Sequence, residues 1–443
     1  MSHVPAPPAR HLAGTVWSRG VRLRPAEAYA PRDEDQVLSV LAHARASGLP
    51  VRVIGGGHSF SPLVATDGIL LTLDDYQGLI SADRTSGRVR LCGGTRLWRI
   101  GDLLAPHGLA LENMGDIDHQ SIAGAISTAT HGTGAAFTGF SAQVRGLRLA
   151  LADGTVVDVD REHDWDLFEA ARAGLGAYGV ILEVELQTVP AFRLQAADST
   201  EPLDPVVRTF LSSCETIDHQ EFYWFVGTGR ATVRRSRRLP ADAPRSRPHP
   251  ARELFEREVL SNGAWEVLCR VGAAAPPLRA PIAEIASRLF AGPPMTDDAA
   301  RVFTAPRRVR FRESEWALDV ADFEQAFATL RNRLQAEGVH VTFPLEIRRA
   351  AADDVWLSTA SGRETVYIAA HQYHRQDAVP YLRLVQETLA PFGARPHWGK
   401  LHWLDAERLR PLYPRFEDAC AVRRQADPDG LFLTPYLRSI LGF

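Results

Sequence analysis

A single lysine, Lys400, stands among the 50 lysines and arginines of this 443-residue chain. Every other strong cation is an arginine, so a compact ammonium on a flexible stem marks a place where a planar guanidinium would not serve; codon bias with one survivor is the bland alternative. Cysteine is nearly as scarce. Residues 92, 214, 269 and 420 lie far apart and form no C-x-x-C pair. That spacing argues against a disulfide framework or a cysteine metal site and suits reduced thiols in a cytoplasmic protein. No apolar run approaches the ~20 residues of a membrane-crossing helix. The start, Met1-Ser-His-Val-Pro-Ala-Pro-Pro8, lacks a basic stretch followed by an apolar one, so no secretory signal is expected. A formal net charge of −3 gives no electrostatic case for nucleic acid or an anionic membrane. H-E-x-x-H, G-x-x-x-x-G-K-[ST] and G-x-S-x-G are all missing, which thins out hydrolases and P-loop NTPases; no metal site is expected.

What is present begins with Val51-Arg-Val-Ile-Gly-Gly-Gly-His-Ser59. Four strand-forming residues run into three glycines, whose backbone N–H groups an anionic group can approach closely. A Rossmann fingerprint would open a helix here. Instead the chain passes Pro62 and reaches Ile69–Leu73, a second strand, so a pyrophosphate held by this loop would lie between strands, with His58 at its edge. A tight turn with a surface histidine is the bland alternative. A second stretch weighs against it: Asn113 to Gly134 is filled with small residues and hydroxyls, including Ser121, Ser127 and Thr128. Such a segment packs backbone against a flat ligand and offers hydrogen-bond partners.

The length favours two domains. Periodicity predicts a helix with buried Val37, Val40, Leu41 and Ala44, capped by Asp33 with Gln36. Strands are expected at 88–92, 147–151, 155–159 and 179–186, and helices at 97–104 and 164–173. This mixture lacks strict alternation, so the fold class is α+β. Beyond Pro190, residues 233–252 read as a solvated Arg/Pro loop. Residues 321–337 read as a helix, 339–343 as a strand delivering Leu345-Glu-Ile-Arg348, and 366–370 as its neighbour, ending at His371.

Glu346 and Arg348 are two apart and on a strand would share one face. The arginine is expected to keep the acid ionised, and the pair could bind and polarise a polyol. An ordinary surface ion pair has the same spacing. Arg395-Pro-His-Trp-Gly-Lys-Leu-His402 gathers the lone lysine, a tryptophan and two histidines, a set suited to a hydroxyl-bearing ligand.

Taken in order, Gly55-Gly-Gly-His-Ser59, Ser121 to Gly134, Glu346-x-Arg348, His397-Trp-Gly-Lys400 and Asp427-Pro-Asp-Gly-Leu-Phe432 resemble the aldonolactone oxidases, the gulonolactone and arabinonolactone group of vanillyl-alcohol-oxidase-type flavoproteins. Alditol oxidases are close relatives. The resemblance covers nearly the whole chain. It implies a two-domain PCMH-type fold: an FAD-binding domain of two α+β subdomains over 1–190, a substrate (cap) domain over 191–425, and a tail, 426–443, returning to the first. It implies FAD bound by Gly55, Gly56, Gly57, His58, Ser59, Gly115, Ser121, Gly124, Thr128, His131, Ile181 and His397, with a covalent bond through His58. It implies catalysis by Glu346, Arg348 and Lys400, with Asp116 and His371 also on the substrate. The implied reaction oxidises a CH–OH group of an aldono-1,4-lactone by hydride transfer to the flavin, or, alternatively, of an alditol. The segment 369–374 departs from the alditol oxidases. Gly115 matches a position where glycine lets O2 reach the flavin, which favours O2 as acceptor over another oxidant. A monomer is expected. A non-catalytic nucleotide-binding protein would require neither Glu346 nor Lys400.

Overall fold

Parallel pairing sets the glycine loop in place. In the computed structural model, which describes residues 6–247, 262–289, 291–305 and 307–443, Val51–Ile54 and Glu27–Tyr29 flank Ile69–Thr72, all parallel. The central strand is buried at all four residues, as a strand covered on both faces must be. Helix Glu34–Ser47 links the first two strands in sequence. Asp33 accepts from the N–H of Gln36 at its start, Gly48 ends it at φ +68°, and Val37, Val40, Leu41 and Ala44 are the buried stripe the periodicity requires. Four residues past the end of Val51–Ile54 the chain reaches His58.

A five-stranded antiparallel sheet follows, in the order 156–160, 144–150, 180–187, 88–92, 79–83. Helices Leu97–Leu104 and Trp165–Arg172 stand where the apolar spacing put them.

The larger sheet has eight strands, in the order 295–298, 192–202, 230–240, 219–224, 345–350, 365–373, 311–319, 395–396. Its central strands alternate. Phe222, Trp224, Leu345, Ile347, Val366, Ile368, Trp316 and Leu318 point to one side, into a core shared with Phe210, Phe323, Phe327, Leu330 and Leu382 of three covering helices. Each large side chain so buried contributes roughly 1.5–3 kcal/mol. The residues between them, Tyr223, Glu346 and Tyr367 among them, face the other way. The architecture is therefore α+β.

Two expectations need correction. Residues 233–240 are not loop: Arg230–Pro240 is an interior strand, and residues 248–252 lie outside those described. The first proline comes only at 240, Arg235 pairs with Glu201, and Arg238 lies over the rings of Phe137 and Phe192. Residues 339–343 form no strand; Val341 and Phe343 are buried, but pairing starts at Leu345. The tail packs beside the glycine loop: Leu431 O accepts from Val51 N–H at 2.8 Å, and the Asp427 carboxylate accepts from the N–H groups of Leu431 and Phe432. Among the described residues no helix is long and apolar enough to cross a membrane.

Candidate active site

The glycine loop forms one wall of a cleft lined also by residues of the 120–128 segment and of 175–181. A Cβ on Gly56 would lie 2.4 Å from the carbonyl oxygen of His119, and Gly57 has φ +64°, so a side chain would displace backbone at the first and be strained at the second. Among the described residues, the N–H groups of Gly56, Gly57, His58 and Ser59 meet no acceptor. Four adjacent free donors beside a cleft suit an oxyanion such as a pyrophosphate. Of the expected cofactor residues, Gly55, Gly56, Gly57, His58, Ser59, Ser121, Gly124, Thr128 and Ile181 line this cleft. Gly115, His131 and His397 do not; they cluster next to it. The position of a Gly115 Cβ is 3.1 Å from His131 O, and the His131 and His397 rings are 5.8 Å apart.

His58 is stacked between Trp17 at 5.3 Å and His119 at 5.8 Å. Its Nδ1 is buried without a partner. Burial, with His119 and Lys400 adding to it, pushes its pKa down to about 4, so the ring is neutral near pH 7. Arg52 also lines the cleft, unforeseen from the sequence. It is buried, donates to the carbonyls of Leu175, Gly176 and Phe432, and so ties the cleft wall to the C-terminal tail.

The polar side of the eight-stranded sheet carries the rest. Register places Glu221 opposite Arg348, Tyr223 opposite Glu346, Glu346 opposite Ala369, and His371 opposite Glu313. Directly opposed residues share a face, so strands far apart in sequence bring Glu221, Tyr223, Arg348, Glu346, His371, Glu313 and Glu315 to one surface. Lys400 arrives from the loop after 395–396; that loop also touches the glycine loop, Phe60 N–H donating to Gly399 O at 2.6 Å. Lys400 Nζ lies 2.5 Å from Glu313 Oε2 and sits over the Phe60 ring. Arg348 pairs with Glu346 at 2.5 Å, Glu221 at 2.9 Å and Asp116 at 3.8 Å, and Arg307 pairs with Asp116 at 2.8 Å. His131 Nε2 is 3.2 Å from Glu315 Oε1. The structure thus brings Glu346, Arg348, Lys400, Asp116 and His371 together.

The charges explain one another. Burial would raise Asp116, but Arg307 and Arg348 hold it well below the carboxylate range. Burial likewise opposes ionisation of Glu313 and Glu315, yet Lys400 and His371 lower the first, and His131 and Lys400 the second. His371 is raised, against burial, by Glu313. Glu346 is the exception. Burial, reinforced by the Glu221 and Asp116 carboxylates, outweighs Arg348 and pushes it up to about 7. The expectation that Arg348 keeps Glu346 ionised is therefore corrected: the arginine is shared among three acids. Glu346 Oε1 is buried and meets Arg348 Nη2 as an ion pair without hydrogen-bond alignment. A buried carboxyl poised near neutrality is suited to take a proton from a hydroxyl.

Glu221, Tyr223, Arg307, Glu313 and Glu315 were not foreseen. Glu313-Ser-Glu315 has the same i, i+2 spacing as Glu346-x-Arg348, and that signal was there to read. Arg307, one third exposed, lies outside any periodic element and gave none.

Residues 184–440 match the family described as D-arabinono-1,4-lactone oxidase, and residues 25–160 match an FAD binding domain. An L-gulono-1,4-lactone dehydrogenase of Mycobacterium tuberculosis is 36% identical over 418 residues, spanning 94% of this chain and 96% of that protein. An L-gulonolactone oxidase of Mus musculus is 30% identical over 431 residues (96% and 97%), and an alditol oxidase of Streptomyces sp. 30% identical over 446 residues (97% and 99%). Among solved structures, a cholesterol oxidase from Brevibacterium sterolicum superposes with a TM-score of 0.84 at 15% identity, covering 99% of this chain and 100% of the other. That likeness is one of fold.

Proposed function

Because the chain belongs to the D-arabinono-1,4-lactone oxidase family, we propose that it oxidises a CH–OH group of an aldono-1,4-lactone of the L-gulono or D-arabinono type, with O2 as electron acceptor. The protein is an FAD-dependent oxidoreductase. One observation carries the assignment: a cleft with four free N–H donors is tied, by the hydrogen bond of Phe60 to Gly399, to the loop that brings the chain's only lysine to a buried sheet face with an acid near neutrality. The glycine loop and Ser121, Gly124, Thr128 and Ile181 would hold FAD, which when bound supplies the hydride acceptor.

The sheet face does the rest. Arg348 and Lys400 bind the oxygens of the sugar ring, and Asp116 fixes Arg348 from the FAD-binding side. Glu346 takes the hydroxyl proton as the carbon gives up its hydride, leaving a carbonyl. His371 lies 4.0 Å from Glu346 on the same face. Aromatic and apolar groups around Lys400, such as Phe60, exclude water and strengthen each charge contact. His58, neutral and with Nδ1 unpartnered, has the nucleophilic nitrogen a covalent flavin bond requires.

The division into residues 1–190, 191–425 and 426–443 is supported by the change from the two smaller sheets to the large one after Pro190, and by the contact of Leu431 with Val51. The four unpaired cysteines suit a cytoplasmic location. The likeness to an alditol oxidase favours one second reading, oxidation of an open-chain polyol. Turnover of gulono-, galactono- and arabinono-lactones against xylitol and sorbitol, with and without oxygen, tests both. Preference for the polyols would reverse the assignment, and turnover only with an artificial acceptor would remove O2 from it.

A further inference from the structure

His371 stands between two carboxylates, and its far nitrogen fixes what it can do. Nδ1 is 3.0 Å from the carbonyl oxygen of Pro344, which has no proton to give, so Nδ1 carries the hydrogen. Nε2 then faces Glu313 Oε1 at 3.5 Å and Glu346 Oε2 at 4.0 Å. A neutral ring beside two ionised acids would turn a bare lone pair on both. At least one proton must therefore reside among these three groups, either on Nε2 or on a carboxyl that donates to it.

Glu313 is only 3% exposed, and its second oxygen holds Lys400 Nζ. We propose that Glu313 is a positioning residue for the reaction: it keeps the shared proton on His371, which frees Glu346 as the carboxylate that receives the substrate's proton, and it fixes Lys400 for the substrate's oxygen. The inference rests on the proposed function and names a residue that reading does not use. Glu313 faces Lys400 from the 397–400 loop, His371 on the adjacent strand and Glu315 on its own. His371 also meets the edges of Phe311 and Phe343, and Glu346 also meets Arg348, Glu221 and Asp116. Glu313 acts on Glu346 through His371, which is among the groups that set it. Losing the positive charge on His371 therefore raises Glu346 and delays the appearance of the base.

The test compares Glu313→Gln, which keeps shape and removes charge, with Glu313→Asp, which keeps charge. In the FAD-loaded protein, the His371 ring resonances, assigned by their loss in His371→Asn, should titrate at least about one pH unit lower in Glu313→Gln than in the wild type. With L-gulono-1,4-lactone as probe, the acid limb of kcat/KM should move up by about one unit in Glu313→Gln and return toward wild type in Glu313→Asp. An unshifted His371 titration, or an unmoved acid limb with only a raised KM, overturns the proposal. If the wild type fails to oxidise the lactone, the functional reading fails on its own, and the His371 titration still decides the role of Glu313. Visible flavin absorbance of each variant reports whether it has folded and loaded.

Discussion

Replacing Glu346 with glutamine should leave the protein inactive and, above neutral pH, more stable. The carboxyl is 7% exposed and its pKa is pushed up to about 7 from an ordinary 4.5, by burial first and then by Glu221 and Asp116. A native state that binds this proton more tightly than the unfolded chain loses stability as pH rises from 4.5 to 7 and stays lower above it, by roughly 3 kcal/mol if the whole difference is expressed. Glutamine removes that loss. It does not orphan Arg348, which keeps Glu221 at 2.9 Å and Asp116 at 3.8 Å. Urea denaturation of the FAD-loaded proteins should show near-equal stability at pH 4 and a gain of about 1–3 kcal/mol for Glu346→Gln at pH 8. Loss of the base should lower kcat/KM about 100- to 10,000-fold. A gain that is the same at both pH values, or a variant weaker at pH 8, refutes the electrostatic argument.

His58→Ala should yield flavin that is released on acid precipitation, where the wild type keeps its colour; colour released from both would refute covalent attachment. Gly56→Ala places a Cβ 2.4 Å from His119 O, so flavin content after purification should fall sharply, and full loading would show that the loop is not the cofactor cradle. Gly115→Ala adds a Cβ 3.1 Å from His131 O, a fit needing only slight movement; oxygen consumption should fall while turnover with a dye acceptor persists, and equal losses would refute oxygen passage there. Lys400→Arg keeps the charge but cannot place a planar fork between Glu313 and the Phe60 ring, so KM for the lactone should rise at least about tenfold; an unchanged KM would make the lone lysine accidental.

The glycine loop was legible because its chemistry is local: three glycines, a histidine and flanking strands are contiguous, and the capped helix 34–47 declares itself by period and by Asp33. The family motifs pointed to Glu346, Arg348 and Lys400 for the same reason. What the sequence hid is what register creates. Glu221, Glu346 and Glu313 lie on three of four successive strands, 219–224, 345–350, 365–373 and 311–319, an order that no local pattern states. For that reason Arg348 was assigned one acid when it meets three, and the ionisation of Glu346 was misjudged. Residues 233–252 read as loop because arginine and proline cluster there, whereas an interior strand carries arginines when a neighbouring strand supplies carboxylates such as Glu201.

The most direct measurement of the central claim is anaerobic addition of L-gulono-1,4-lactone to the purified, FAD-loaded protein while its visible spectrum is recorded. The flavin band should bleach within the mixing experiment and recover when air is admitted, and Glu346→Gln should not bleach. A band unchanged by gulono-, galactono- and arabinono-lactones, in a protein that holds its flavin, would contradict it.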